Sequence, residues 1–93
     1  MSAYFIANID IHDVLLYKKY TDAVDNVFNK FKGKYLAVDT NPEVVEGSWS
    51  YTRLVLIEFP DKEALKEWYY SDEYQEFLQY RLAAAKCDSI IVD

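Results

Sequence analysis

Residues 52–59 read TRLVLIEF, and the rest of the predicted fold is built around this stretch. Apolar and β-branched residues dominate it, and the proline that follows cannot donate to a sheet ladder, so the pattern predicts a β-strand. Side chains alternate between the two faces of a strand, and here both sets are apolar. One set is Leu54 and Leu56, and the other is Val55, Ile57 and Phe59. The strand must therefore be covered on both sides.

A second strand pattern lies near the start of the chain, in AYFIANIDI (3–11). Its residues alternate, so two sets of side chains face opposite ways. One set is Phe5, Ala7, Ile9 and Ile11, and the other is Tyr4, Ile6, Asn8 and Asp10. Because the first set is entirely apolar, we expect that face to pack on the core.

The clearest helix pattern runs from an N-cap at Asp13 to about Lys32. Gly33 is the residue expected just past the C-terminus, and Lys30 suits the negative end of the helix dipole. At about 100° per residue, one stripe collects the apolar and aromatic side chains. They are Leu16, Tyr17, Tyr20, Ala23, Val24, Val27, Phe28 and Phe31. One face of this helix should therefore lie on the sheet.

The middle of the chain predicts two short strands, at 34–40 and 43–47, separated by the turn pair Asn41-Pro42. After the strand at 52–59, Asp61 is placed to cap a second helix. DSIIV (88–92) is expected to be the closing strand.

Residues 67–77, EWYYSDEYQEF, interleave aromatic rings with acids. The hydroxyl and acids of 71–73 suit a fresh helix N-terminus, so we expect the second helix to break there and a further segment to reach about Ala85. Four rings are expected to point inward: Trp68, Tyr69, Tyr74 and Phe77. Packing on a sheet therefore explains most of this stretch.

The order of elements is β, α, β, β, α, β, within one domain at 1–93. This order predicts an α+β, ferredoxin-like βαββαβ fold, with a four-stranded antiparallel sheet and its helices on one face. The other face would carry Ile6, with either Leu54 and Leu56 or Val55 and Ile57. Since two helices cover only one face, we expect a homodimer through the open sheet face.

Composition excludes several classes of function. The net charge is -6 and the 10 Lys and Arg residues are scattered among acids, so nucleic acid is not expected as a partner. No apolar run approaches the ~18 residues of a membrane span, and the start lacks the basic region of a signal peptide. A single cysteine, Cys87, fits a reducing cytoplasm. With one histidine, His12, neither a Cys/His zinc site nor any other metal or cofactor site is expected.

Arg81 is the most informative polar residue. The last helix pattern places it in the middle of a stripe formed by Tyr74, Phe77, Leu78, Leu82 and Ala85. A charge in an apolar stripe needs a partner or a route to water. The structural interpretation is an ion pair with a carboxylate such as Glu58 or Asp10, or snorkelling at the stripe's edge. The functional one is a pocket arginine that orients an anionic ligand.

A cavity between helices and sheet would have aromatic walls and a few polar groups. Its candidate ligand-binding residues are Asn8, Tyr17, Tyr20, Trp49, Arg53, Trp68, Tyr74 and Arg81, with Phe28 as a further wall. Of these, Arg81, Tyr20, Tyr74 and Arg53 are the candidates for catalysis. Core packing competes for every tyrosine, and Arg53 has a structural alternative as a cap against Glu46. Trp49 is either a lid or an interface anchor, and His12 is expected to be an exposed loop residue.

The segment VVEGSWSYTRLVLIEFPDKEALKEWYYSDEY (44–74) resembles the bacterial domain-of-unknown-function family numbered thirteen-thirty. The motifs are E-G before an aromatic, an Arg opening an apolar strand, E-F-P, W-Y and S-x-E-Y, and the opening Y-x-I-A-x-I-D also fits. The matching positions are Glu46, Gly47, Arg53, Glu58, Trp68, Ser71, Glu73 and Tyr74. The resemblance implies membership of the dimeric α/β-barrel superfamily.

Relatives in that superfamily include cofactor-independent monooxygenases acting on polycyclic phenols, muconolactone-type isomerases and haem-degrading enzymes. The haem-degrading relatives hold iron through a helix histidine, and neither long helix here contains one, so haem is not expected. Two functions stay open from the sequence. One is a cofactor-independent monooxygenase or isomerase acting on a small aromatic or acidic metabolite, and the other is a non-catalytic dimeric ligand-binding or stress-related module.

Overall fold

A computed structural model describes the whole chain, from Met1 to Asp93. The elements are β1 (Ala3–Ile11), α1 (Val14–Phe28), β2 (Lys34–Asp39), β3 (Arg53–Phe59), α2 (Lys62–Tyr69), α3 (Asp72–Ala84) and β4 (Ala85–Val92). The strands form one antiparallel sheet in the order β2-β3-β1-β4. This is the predicted α+β ferredoxin-like fold, with the second helix divided into α2 and α3.

Helix α1 begins as predicted and ends early. The side chain of Asp13 accepts a hydrogen bond from the backbone N–H of Leu16. The predicted end at Lys32 is wrong, because the last helical residue is Phe28 and the chain then makes tight turns in which Phe31 N–H donates to the Phe28 carbonyl.

Gly33 does not cap helix α1, and the close packing around it is what requires a glycine. It has no positive φ, and a Cβ there would lie 2.6 Å from the ring of Phe28 and 2.7 Å from that of Phe59. The close approach of the chain to these two rings therefore requires the absence of a side chain.

The break between α2 and α3 occurs where the acids predicted it. Asp61 caps α2, and the Ser71 hydroxyl both accepts from the Tyr74 N–H and donates to the Trp68 carbonyl. The residues of α3 that face inward are Tyr74, Leu78, Arg81 and Ala84. Leu82, expected in this stripe, is 56% exposed, so Arg81 lies in the buried stripe but with different neighbours.

The predicted strand at 43–47 is wrong. The last residue pair between β2 and β3 is Asp39 with Leu54. Only one residue of β3, Arg53, precedes Leu54, so a continuation of β2 would have almost no strand to pair with. The Asp39 side chain accepts from the Asn41 N–H and turns the chain away, and the segment 40–52 carries the positive-φ residue Gly47.

The two faces of the sheet differ as the alternation predicted. Its helix-covered face is buried and contains Ala3, Phe5, Ala7, Ile9, Val55, Ile57 and Phe59. On the open face, Ile6 pairs with Leu56 on one side and Ile90 on the other. Leu54 and Leu56 therefore lie on the open face, which settles the alternative left by the sequence. None of the helices has the length and apolar character that a membrane span requires.

Candidate functional site

A cavity of about 360 Å³ lies between α1 and the helix-covered face of the sheet. Its floor is aliphatic and contains Ala7, Ile9, Val55 and Ile57. Its walls are mainly aromatic and contain Tyr17, Tyr20, Phe28, Trp68 and Tyr74. Three lining residues are exposed and mark the mouth: Asp25, Tyr35 and Val38. The size falls within the range of small-molecule sites, roughly 300–1,000 Å³.

Arg81 is the buried charge of this cavity, with only 3% of its surface exposed. One guanidinium nitrogen, Nη1, donates to the sulfur of Cys87 at 2.5 Å, and the guanidinium carbon lies 5.6 Å from the centre of the Tyr20 ring. Its Nε has no hydrogen-bond partner. The only anionic group in this setting would be a thiolate, and burial raises the pKa of Cys87 while Arg81 partly opposes the shift.

The prediction that a carboxylate pairs with Arg81 is wrong, because none of the ion pairs in the structure involves an arginine. Asp10 and Glu58 occupy positions on the open face of the sheet, where Glu58 accepts a hydrogen bond from Tyr4. They are therefore separated from Arg81 by the sheet itself. Snorkelling is also wrong, since the side chain is buried.

Two phenols share a hydrogen bond beside Arg81. The oxygens of Tyr20 and Tyr74 are 2.6 Å apart. Burial raises the pKa of both, and Arg81 only partly opposes the shift. Burial also opposes the charge of Arg81, and its pKa is nevertheless raised because Tyr74, Tyr20 and Cys87 attract the guanidinium once they ionise in alkali. At neutral pH the site therefore holds a cation and two protonated phenols, and one of the phenol protons is not used in the bond between them.

Arg53 enters the cavity from the first position of β3. Its guanidinium carbon lies 5.6 Å from the centre of the Tyr17 ring, and its Nε is buried without a partner. The alternative pairing with Glu46 is wrong, since no such ion pair exists. Burial raises the pKa of Tyr17, and both Arg53 and Arg81 oppose that shift.

Three buried N–H groups without partners belong to side chains that line this one cavity: Arg53 Nε, Trp68 Nε1 and Arg81 Nε. Buried polar groups in folded proteins are hydrogen-bonded in roughly 90% or more of cases. The cavity is thus rich in donors and poor in acceptors, with one carboxylate, Asp25, at its exposed mouth. Its chemistry suits a ligand that supplies acceptor oxygens.

The structure brings together six of the eight predicted ligand-binding residues: Tyr17, Tyr20, Arg53, Trp68, Tyr74 and Arg81. Asn8 does not belong to the cavity, because its side chain lies on the open face of the sheet. Trp49 lies outside it, in the segment 40–52, with its ring against Tyr51. His12 is exposed at the junction of β1 and α1. No group of three or more His, Cys, Asp or Glu residues is arranged to hold a metal ion.

Sequence reasoning missed several residues of the site: Thr21, Asp25, Tyr35, Val38 and Cys87. Tyr35 and Val38 face the cavity together although they are three positions apart, because a bulge shifts the register of β2 between residues 35 and 37. Simple alternation cannot predict that. Cys87 was missed because the closing strand was predicted to begin at residue 88. The strand β4 begins at Ala85, so Cys87 belongs to the sheet and lies opposite Ile9.

The raised pKa values predict a loss of stability in alkali. The unfolded chain releases the protons of Tyr20 and Tyr74 near the ordinary tyrosine pKa of 10.0, whereas the folded chain retains them to higher pH. Their contribution is complete below that pH and declines above it, by up to about 1.4 kcal/mol per pH unit for each phenol. Urea unfolding from about pH 8 to pH 11 should show a shallower decline for Tyr20→Phe than for wild type.

Tyr70→Phe removes a phenol that is 65% exposed and serves as the control for this measurement. It should reproduce the wild-type decline. Equal declines for Tyr20→Phe and wild type would show that the phenol pair is not the protonated, buried group described above.

Several solved structures have similar folds. A protein of unknown function from Rhodopseudomonas palustris is 16% identical with a TM-score of 0.83, over 98% of this chain and 80% of that chain. A dimeric ferredoxin-like protein of unknown function from Jannaschia sp. CCS1 is 14% identical with a TM-score of 0.80, over 100% of this chain and 99% of that chain.

SnoaB, a cofactor-independent oxygenase from Streptomyces nogalater, is 9% identical with a TM-score of 0.73, over 99% of this chain and 91% of that chain. At these identities the likenesses show the fold. No curated protein is significantly similar to the chain. The family model described as Domain of unknown function (DUF1330) matches residues 2–93, so the chain belongs to that family, as its motifs predicted.

Proposed function

We propose that the cavity binds a small organic anion with a planar aromatic or conjugated body, and that Arg81 orients it. The observation that carries the proposal is a guanidinium that is 3% exposed, lines an open cavity and has no carboxylate partner. Buried charges are normally paired, because an isolated one costs several kcal/mol of solvation. A bound anion would supply the missing partner.

The strength of that pairing decides between a charged and a neutral ligand. At an effective dielectric constant of about 20, opposite charges about 4 Å apart attract by about 4 kcal/mol. A neutral acceptor would gain roughly 1.5–3 kcal/mol from one hydrogen bond to the charged guanidinium. The whole chain carries a net charge of -6, so long-range attraction does not favour anions, and the local field of Arg81 must supply the preference.

The walls of the cavity suit a flat ligand. Trp68 and Tyr74 lie with ring centres 4.4 Å apart, and the Tyr17 and Tyr20 rings meet edge to face at 5.5 Å. Rings of this kind present both faces and edges to a bound aromatic body. Across the cavity, the aliphatic floor of Ala7 and Val55 offers a flat apolar surface.

The chemistry that this arrangement supports is reaction of the bound anion itself. Arg81 would hold a phenolate or enolate in its ionised form, and the Tyr20–Tyr74 pair would donate a hydrogen bond or return a proton. Isomerisation needs only removal of a proton from one carbon and its return to another. In a cofactor-independent monooxygenase, a phenol and dioxygen would give a quinone and water, and the oxygenase fold of SnoaB supports this variant by analogy.

The alternative is a module that binds such an anion without converting it. The only carboxylate of the cavity, Asp25, is exposed at the mouth, so no buried general base is available. A substrate would therefore have to be acidic enough to ionise readily. Oxygen uptake and product analysis with naphthols distinguish the two cases, because the binding module gives neither.

Binding can be measured through the fluorescence of Trp68 alone. Trp49→Phe removes the other tryptophan, which lies outside the cavity, and leaves a reporter in the wall. We expect 2-naphthoate to quench this fluorescence and to bind roughly 10-fold or more tightly than the uncharged 2-naphthamide, as a charge-assisted hydrogen bond implies. Arg81→Met should weaken the binding of naphthoate and leave the binding of naphthamide little changed.

Lys66→Met, which removes an exposed cation on α2, is the matched control and should leave both affinities unchanged. Equal binding of the acid and the amide by the protein with Arg81 intact would contradict the proposal. So would the absence of quenching by either compound at millimolar concentration.

We further propose that the chain forms a homodimer through the open face of its sheet. That face exposes Ile90 by 58% and Val92 by 42%, beside Ile6, Leu54 and Leu56. At its centre the Asn8 side-chain oxygen is buried without a partner. The apolar residues in the middle of this face and the unpaired acceptor suit a second copy that supplies a donor, and the neighbour from Jannaschia is described as dimeric.

Sedimentation measures this dimer directly. Wild type should have twice the monomer mass of 10.9 kDa at micromolar concentration, and Leu56→Glu should sediment as a monomer because its carboxylate would be buried. Leu82→Glu, on the exposed side of α3, should remain dimeric. A monomeric wild type would refute the dimer, and a dimeric Leu56→Glu would place the interface elsewhere.

A further inference from the structure

Arg53 is a second cation in the cavity that the anion-binding proposal does not use. It lines the cavity, its Nε is buried without a partner, and it forms no ion pair. Its guanidinium instead lies over the ring of Tyr17. A cation–π contact of this kind is weak, so it does not replace an ionic partner for this half-buried side chain.

The sheet register places the two cations on opposite sides of one residue. Ile9 pairs with Arg53 on β3 and with Cys87 on β4. Adjacent strands are about 4.8 Å apart, so the backbones of Arg53 and Cys87 are separated by roughly 10 Å. Since Arg81 donates to the Cys87 sulfur, its guanidinium marks the β4 side of the floor while Arg53 marks the β3 side.

Each of the two cations also contacts a different tyrosine of helix α1, above the floor. Arg53 lies over Tyr17 and Arg81 lies over Tyr20, and these tyrosines are neighbours one turn apart with ring centres 5.5 Å apart. The cavity thus has two guanidinium–tyrosine pairs, which we call stations: Arg53 with Tyr17, and Arg81 with Tyr20. The apolar side chain of Ile9 lies between them.

A ligand with one negative group can neutralise only one station. The other cation would stay unpaired, because the only lining carboxylate is at the exposed mouth. We propose that the natural ligand is a dianion: a planar body with two separated anionic groups, either two carboxylates or a carboxylate and a phenolate or enolate. Arg53 is then the residue that selects doubly charged ligands. This inference rests on the proposed anion-binding function of the same cavity.

The test compares naphthalene-2,6-dicarboxylate with its monomethyl ester, which has the same body and one charge fewer. Both are titrated into the Trp49→Phe reporter protein and into its Arg53→Met and Arg81→Met derivatives. We expect the dicarboxylate to bind the reporter protein roughly 10-fold or more tightly than the monoester, as one additional charge-assisted pair implies. In Arg53→Met this preference should disappear while the affinity for the monoester changes little.

Naphthalene-2,3-dicarboxylate controls for total charge, because its two carboxylates are adjacent and cannot reach both stations. It should bind more weakly than the 2,6-isomer. Equal affinities of the two isomers would overturn the two-station geometry. Arg53→Lys keeps the charge and should retain part of the preference, which gives a result even where Arg53→Met is poorly folded by circular dichroism.

The two proposals fail in different ways. Equal, measurable binding of the dicarboxylate and the monoester by the reporter protein would overturn the dianion inference and leave the anion-binding function standing. Binding of neither compound would overturn both.

Discussion

A guanidinium held among aromatic rings, with no carboxylate beside it, is the constraint around which the rest of this site is arranged. Arg81 faces inward because Ser71 restarts the helix there and so sets the phase of α3. The same phase brings Tyr74 to the oxygen of Tyr20, and the direct passage of α3 into β4 brings Cys87 to the guanidinium. These neighbours shield the charge from water but do not balance it.

The cavity beside Arg81 comes from ordinary packing requirements. Ala7 is a small residue in the centre of the sheet, between Val55 and Ser89 on the neighbouring strands, and it leaves space that a larger side chain would fill. At the other end, Phe28 packs against Phe59 and Trp68 and holds the C-terminus of α1 near the sheet. The sheet and α1 thus enclose space beside Arg81, and β2 leaves it open at the edge.

Alternation and helical periodicity predicted much of this arrangement. They assigned the two faces of β1 correctly and divided β3 into its two sets of side chains without deciding which set faces the helices. They also placed the helix caps at Asp13 and Asp61 and put Arg81 in a buried stripe. They failed wherever the outcome depended on contacts between distant segments. The bulge in β2, the end of the β2–β3 pairing at Leu54 and the early start of β4 are such cases.

The error over the partner of Arg81 has the same origin. A stripe shows that a charge is buried but not which strand faces it, so Asp10 and Glu58 seemed available although the sheet separates them from α3. Asn8 was assigned to the cavity for the same reason. Its position on the open face instead connects it with the proposed dimer.

The proposed anion-binding role implies that Arg81 is retained for a ligand and lowers the stability of the free protein. The most direct measurement is the free energy of unfolding of Arg81→Met and wild type in urea, at equal protein concentration and without added anions. The contact with Tyr20 contributes roughly 0.5–2 kcal/mol and the bond to Cys87 about 1 kcal/mol, whereas an unpaired buried cation costs several kcal/mol. We expect Arg81→Met to be at least as stable as wild type, and a loss of roughly 3–5 kcal/mol would contradict the ligand role by showing that the arginine holds the fold together.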